Sequence, residues 1–328
     1  MLRFRAGFFR AFFKLFPYAF PLIYVMIGAI DSPEYPVGVH VDFEQYEVGM
    51  MIFTKMQGLG NDFIVVYGEQ KLPDDAPNVA QQWCDRFFGI GADGLVYILP
   101  SNKADFMMRI INSDGSEAEQ CGNAIRCVAK YVYDHGLTSK TELTIETIGA
   151  GVQPVELMVA GGKVSQVRVD MGEPVLEGLQ VPTMIDAKAV IAHSIEIDGR
   201  SFEFTAVSMG NPHCVIYVDD ATTFDLAYWG PKLETHPLFP RKINVEFVTI
   251  RHSEHMDMRV WERGAGPTLA CGTGACATLV SSVLNGVSNR AATVSLKGGD
   301  LFIEWSEGNN RVYMTGPAET VYKGEIAQ

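Results

Sequence analysis

The sequence predicts an α+β fold of two pseudo-symmetric halves, each a strand-rich sheet wrapped around a central helix. Three observations predict it. Short strings recur at an offset of 150 residues: Cys121-Gly122 returns as Cys271-Gly272, Gly60-Asn61 as Gly210-Asn211, and Met108-Arg109 as Met258-Arg259. Each copy holds one long run that is apolar on most faces, and a helix of that kind must be buried. The remainder of each copy reads as short strands and turns, without the regular βαβ alternation of a doubly wound sheet.

Taken in order, Met51 to Tyr67 reads as strand, turn, strand, with Gly58-Leu-Gly60-Asn61-Asp62 turning. Val79 to Phe88 reads as a short helix with Asn78 as its N-cap. Strands are expected at Leu95 to Leu99 and Phe106 to Ile111, and Asn112-Ser-Asp-Gly-Ser116 is strongly turn-forming. Gly122 to His135 is apolar at helical spacing (Ile125, Val128, Ala129, Val132) and stops at Gly136. Strands follow at Glu142 to Thr147 and Val152 to Val159. Gly161-Gly162 marks a boundary, so the first half is placed at 51–162, completed by a closing segment 314–328, and the second at 163–313. The second half repeats the order. Its strands are read at Val164 to Met171, Phe202 to Val207, Cys214 to Val218 and Met258 to Trp261. A turn at Glu262 to Leu269 leads to a helix from Gly272 to Leu284, and strands at Ala292 to Leu296, Leu301 to Trp305 and Val312 to Met314 close the chain.

Residues 1–50 stand apart. Arg3, Arg5, Arg10 and Lys14 precede an apolar run, Leu15 to Ile30, that contains Pro17 and Pro21. It is shorter than the roughly 20 apolar residues of a spanning helix. The segment is read as an extension outside the catalytic fold, with targeting or anchoring left open.

A length of 328 residues, 47% hydrophobic and 20% charged, is an ordinary globular balance with a sizeable core. A net charge of −13 excludes a phosphate-backbone partner, so no nucleic acid is expected, and no membrane for the catalytic unit. Cys84, Cys121, Cys127, Cys214, Cys271 and Cys276 form no C-x-x-C pair, so neither a disulfide scaffold nor a zinc site is expected, and free thiols point to the reducing cytoplasm.

Chemistry concentrates at Cys121 and Cys271. A single buried cysteine is usually packing. Two at equivalent helix starts are different, because a helix N-terminus pulls a thiol pKa down and its free N–H groups bind carboxylate. A carboxylate held between two such starts would have a thiol on each side of its α-carbon, the arrangement of a two-base racemase or epimerase. Asn61, Asn112, Asn211 and Asn244 sit in turn-like strings near them, and Glu262-Arg263 adds a carboxylate and a guanidinium suited to a distal carboxylate. Gly89-Ile-Gly91-Ala-Asp-Gly94 spells G-x-G-x-x-G, yet it follows a helix and precedes a strand, the reverse of a dinucleotide site.

These strings resemble the diaminopimelate epimerases from about Met51 to the C-terminus. They are Met56-Gln-Gly-Leu-Gly-Asn-Asp-Phe63, Gly89-Ile-Gly-Ala-Asp-Gly94, Asn112 to Asn123, Gly210-Asn-Pro-His213, Asn244-Val-Glu-Phe247, and Glu262-Arg-Gly-Ala-Gly266 with Ala270-Cys-Gly-Thr-Gly274. The resemblance implies a diaminopimelate epimerase-like fold and a small-molecule enzyme that interconverts LL- and meso-diaminopimelate without pyridoxal phosphate or metal. It implies Cys121 and Cys271 as the acid/base pair, and Gly122, Asn123, Gly272 and Thr273 around the reacting carboxylate. Asn61, Asn112, Asn211, Asn244, Glu262 and Arg263 become the remaining substrate contacts. It also brings the closing strand near Tyr322 back to the first half and leaves a homodimer open. Ala124, Pro267 and Gly94 depart from the family pattern, Pro267 standing where a glutamate is common. Two other readings are a proline racemase, disfavoured by Asn123 after Cys-Gly, and a binding module whose two cysteines form a redox disulfide.

Overall fold

The structure, a computed structural model, describes residues 50–68, 71–118 and 121–327. The extension assigned to 1–50 lies outside them, save for Met50. The first half runs β1 Met50–Gly58, β2 Asn61–Tyr67, α1 Ala76–Trp83, β3 Gly94–Leu99, β4 Phe106–Asn112, β5 Glu117–Ala118, α2 Gly122–Asp134, β6 Glu142–Thr147 and β7 Gly151–Ala160. The second runs β8 Lys163–Asp170, β9 Val190–Ile197, β10 Arg200–Ser208, β11 Pro212–Tyr217, α3 Leu226–Glu234, β12 Asn244–His252, β13 His255–Glu262, β14 Gly266–Pro267, α4 Gly272–Leu284, β15 Ala291–Leu296, β16 Gly299–Trp305 and β17 Val312–Gly316, with β18 Glu319–Ala327 last.

The repeat seen in the residues is a repeat of topology. Parallel pairs β2–β3 and β4–β6 in the first half recur as β11–β12 and β13–β15 in the second. The neighbouring pairs are antiparallel in both. β8 pairs with β7 on one side and β17 on the other, joining the halves edge to edge. Lys163–Asp170 thus forms a hairpin with β7. β18 pairs antiparallel with β1, setting Tyr322 opposite Lys55.

Both long helices lie in one apolar cluster. Ile125, Val128, Ala129 and Val132 of α2 share it with Ala275, Leu279 and Val280 of α4 and with the inner faces of the strands. Helices α1 and α3 cover outer faces, α1 against Ile64, Leu95 and Tyr97, and α3 against Phe204, Ile216 and Phe247. β3 is therefore buried at every position. A strand covered on both sides loses its period-2 signature, which is why its pattern reads as a plain apolar run.

Several expectations are corrected. α1 starts at Ala76 with Asp75 as N-cap, not Asn78, because Pro77 occupies the first turn, where a missing N–H costs nothing. It ends at Trp83 rather than Phe88. Asp85 accepts the N–H groups of Phe87 and Phe88 and turns the chain there. Asn244 is the buried first residue of β12 rather than part of a turn. Helix α3 has no clear signal in the residues, since Gly230 and Pro231 interrupt its pattern, and β9 has none either.

Candidate active site

Cys121 and Cys271 are the N-caps of α2 and α4, both in extended backbone conformation. The glycines behind them let the two helix starts meet. A Cβ on Gly272 would lie 2.9 Å from Met314 Sδ and 3.9 Å from Gly122 Cα, and one on Gly122 would lie 2.9 Å from Met314 Cε. Among the described residues, the N–H groups of Gly122, Asn123, Gly272 and Thr273 donate to no protein carbonyl. Convergent free N–H groups at two helix starts form a carboxylate site.

Cys121 faces Asn61. Its thiol donates to Asn61 Oδ1 at 3.6 Å, and Asn123 Nδ2 donates to the same oxygen at 3.2 Å. The other end of the Asn61 amide donates to Asp93 Oδ2 at 2.7 Å. An ionised carboxylate only accepts, so the amide has one permitted orientation, with its carbonyl toward the thiol. Arg86 in turn bonds Asp62 and Asp93, each at 2.7 Å, and Lys55 pairs with Asp62 at 2.6 Å. Burial pushes the Asp62 carboxyl up, but hydrogen bonds and charge from Arg86 and Lys55 outweigh it and hold its pKa at about 2.

Cys271 has different company. Its sulfur accepts the N–H of Gly274 at 3.4 Å and lies 3.5 Å from Thr273 Oγ1. Glu246, fully buried, reaches the same helix start: its Oε1 would be 2.8 Å from a Cβ on Gly274. That oxygen meets His213 Nδ1 at 2.7 Å, and His213 Nε2 meets Asn211 Oδ1 at 2.9 Å. Glu262 accepts from the Thr268 hydroxyl, and its pKa is raised, chiefly by burial.

The expectation that helix starts bring these thiols toward neutrality is overturned. Burial raises the Cys121 pKa. The nearby N–H groups of Ala124 and Asn123 pull it down without making cap hydrogen bonds, and Arg126 pulls the same way against Glu262. Cys271 is raised well above the ordinary thiol value, by burial first and then by Glu262 and Glu246, against which Thr273 and Gly274 are insufficient. Removing a thiolate from water outweighs one helix turn of partial charge. The surroundings are unequal: a buried arginine stands near Cys121 and two carboxylates near Cys271.

Both cysteines open onto one cleft of about 1140 Å³, walled also by Asn61, Asn112, Gly122, Asn123, Asn211, Glu262, Arg263, Gly272 and Thr273. Asn244 stands behind the wall, 3% exposed. Its amide is spent at both ends: Nδ2 donates to Pro212 O at 2.8 Å, and Oδ1 accepts the Arg263 N–H at 2.9 Å. Asn123, too, is tied down, donating to Ala270 O at 3.4 Å and accepting from Arg126 at 3.0 Å. Sequence reasoning missed Asp93, Arg86 and Glu246 as parts of this site. The first two lie in or beside the Gly89 to Gly94 string, which reads in sequence only as a turn. Among the described residues, no group of three or more His, Cys, Asp or Glu side chains is arranged to hold a metal.

The sequence pattern of the family described as diaminopimelate epimerase matches residues 53–177 and 205–321. The diaminopimelate epimerase of Acetivibrio thermocellus is 58% identical over 276 residues, covering 84% of this chain and 98% of that protein. That of Desulfitobacterium hafniense is 55% identical over 281 residues, covering 85% and 99%. Among solved structures, a hydroxyproline epimerase from Agrobacterium vitis superposes with a TM-score of 0.63 at 15% identity, over 85% of this chain and 92% of that one. A phenazine biosynthesis protein of the PhzF family from Bacillus anthracis gives 0.62 at 15%, over 85% and 100%. At that identity the likeness is one of fold.

Proposed function

This chain belongs to the diaminopimelate epimerase family, and on that premise we propose that it interconverts LL- and meso-2,6-diaminopimelate, in lysine and peptidoglycan precursor synthesis, by proton transfer between two cysteines. The observation that supports this most directly is that the two capping cysteines flank helix starts that meet at Met314.

The α-carboxylate binds at the free N–H groups of the two helix starts. One sulfur, as thiolate, takes the α-proton, and the other, as thiol, returns a proton to the opposite face. The negative charge that develops on the carboxylate is stabilised by groups already oriented toward it. Burial favours the protonated form of both thiols, and the substrate ammonium helps to ionise one of them, because a cation beside a thiol favours the thiolate. The unequal surroundings favour Cys121 as the first thiolate and Cys271 as the first acid. Asn61 offers a carbonyl to an ammonium, and Arg263 receives the distal carboxylate. Asn112, Asn211 and Glu262 complete recognition, and Asn244 acts through the Arg263 backbone. The catalytic unit is residues 51–328, in the cytoplasm, and residues 1–50 take no part in the chemistry. No described helix is long and apolar enough to cross a membrane.

The test is reduced full-length protein with LL-diaminopimelate in D₂O, repeated with residues 51–328. Meso product carrying deuterium at the α-carbon is expected from both. No exchange from either would defeat the assignment, and exchange from the full chain alone would defeat the division at residue 51.

A further inference from the structure

The two halves differ at one position that leaves a charge unanswered. Arg109 on β4 and Arg259 on β13 are repeat equivalents. Arg109 is neutralised by Glu117, whose Oε2 accepts from Nη2 at 2.9 Å, and Glu117 lies opposite Ile111 across the β4–β5 pair. In the second half the corresponding position, opposite Trp261 across β13–β14, is Pro267. Arg259 donates to the Met258 carbonyl at 2.7 Å, and among the described residues no carboxylate lies within ion-pair distance of it. Asp257, two residues away on the same strand face, is taken by Arg251 at 2.6 Å.

Arg259 lines the cleft. So do Arg263 and Lys297, which likewise make no ion pair among the described residues. Three uncompensated cations gather there in a chain of net charge −13. Thr222, Phe224, Leu226 and Pro267 line the same cleft, and Arg259 lies opposite Phe247, whose ring is 4.5 Å from that of Phe224. Apolar walls strengthen a guanidinium–carboxylate pair by excluding water, and the planar fork of arginine matches a carboxylate. At about 1140 Å³ the cleft also exceeds the ~300–1,000 Å³ of most small-molecule pockets.

We propose that Arg259 anchors a second carboxylate subsite in the cleft that Thr222, Phe224 and Leu226 also line, its charge left unanswered because Pro267 stands where the other half has Glu117. The proposal rests on the epimerase reading only for the identity of the main site. The carboxylate has two sources, the distal end of the bound substrate, then shared between Arg263 and Arg259, or a separate small carboxylic acid.

The experiment uses the full-length chain and two variants. Pro267→Glu supplies the partner that Glu117 gives Arg109, at an exposed position, and Arg259→Gln removes the cation. Melting temperatures establish that both fold. Turnover of LL-diaminopimelate and calorimetric binding of glutarate, a diacid without amino groups, are then measured. If the substrate is the source, KM rises about tenfold in both variants, the size of one charge-assisted hydrogen bond, while kcat stays within about twofold. If a separate acid is the source, KM is unchanged and glutarate binding weakens about tenfold in both. Unchanged KM together with unchanged or absent glutarate binding overturns the subsite. A wild-type protein that binds glutarate more tightly than Pro267→Glu yet fails to epimerise would sink the activity and leave the subsite standing.

Discussion

Asn61 turns its side-chain carbonyl to the Cys121 thiol because Asp93 holds the other end of the same amide, at 2.7 Å against 3.6 Å on the thiol side. The polarity of this cleft-lining amide is thus set by a carboxylate beside it in the same cleft. Replacing Asp93 by asparagine, which can donate as well as accept, frees the Asn61 amide to point either way. The kcat/KM of Asp93→Asn is expected to fall about tenfold, one misdirected hydrogen bond, with little change in melting temperature. Steady-state kinetics beside a thermal melt separate this from simple loss of folding.

Cys121→Ser and Cys271→Ser are each expected to cut epimerisation by about 10²–10⁴-fold, the range of a lost general acid or base. Serine is close to cysteine in size and is itself a favoured N-cap, so both variants should fold. Near-normal meso formation by either would rule out the two-thiol route.

Thiol reactivity should report the unequal surroundings. Alkylation by iodoacetamide, followed peptide by peptide against pH, is expected to reach Cys121 at lower pH than Cys271, whose pKa is raised further by Glu262 and Glu246 after burial. Glu262→Gln removes one of those anions and should move Cys271 alkylation to lower pH. Because both pKa values are raised, kcat/KM of the unmodified protein is expected to climb from pH 7 to pH 9. A flat profile would contradict thiols held protonated in the free enzyme.

Acid stability should depend on Asp62. Its carboxyl titrates at about 2 when folded against an ordinary 3.8. A depressed pKa gives stability that is present above 3.8 and lost as pH falls toward 2, about 2 kcal/mol in all. Asp62→Asn lacks it and leaves Lys55 buried without its counter-ion. The gap in melting temperature between wild type and this variant should be wide at pH 7 and narrow as pH falls from 3.8 to 2. A constant gap would show that the Lys55–Asp62–Arg86 cluster does not couple to folding.

The parts of the molecule legible in its sequence are those with a local signature. Gly122 and Gly272 open helices whose apolar spacing and glycine stops mark both ends, and the 150-residue repeat exposes their equivalence. Elements shaped by distant contacts are not legible. Among the described residues β9 pairs with β10 alone, and β12 opens on an asparagine whose burial depends on β11 lying beside it. The site divides the same way. Most of its wall residues come in recognisable strings, while Asp93, itself on the wall, and Glu246, buried behind it, matter through the partners they hold. Their partners, Asn61 and His213, are some thirty residues away, at separations that no local pattern encodes. The raised thiol pKa values escape the sequence for a related reason: a helix start can be read from residues, but the desolvation that outweighs it belongs to the packed whole.

β18 completes the first half by pairing with β1, and its register sets Ala327 opposite Met50. The strand made last in the described fold is therefore the partner of the one made first, and that edge waits unpaired while the strands between them are synthesised. The described fold, residues 50–327, brings its first and last strands together. Its two ends are adjacent strand neighbours, so joining them by a short linker and opening the chain at an exposed turn such as Gly161-Gly162 would preserve every strand pairing while changing which half is made first.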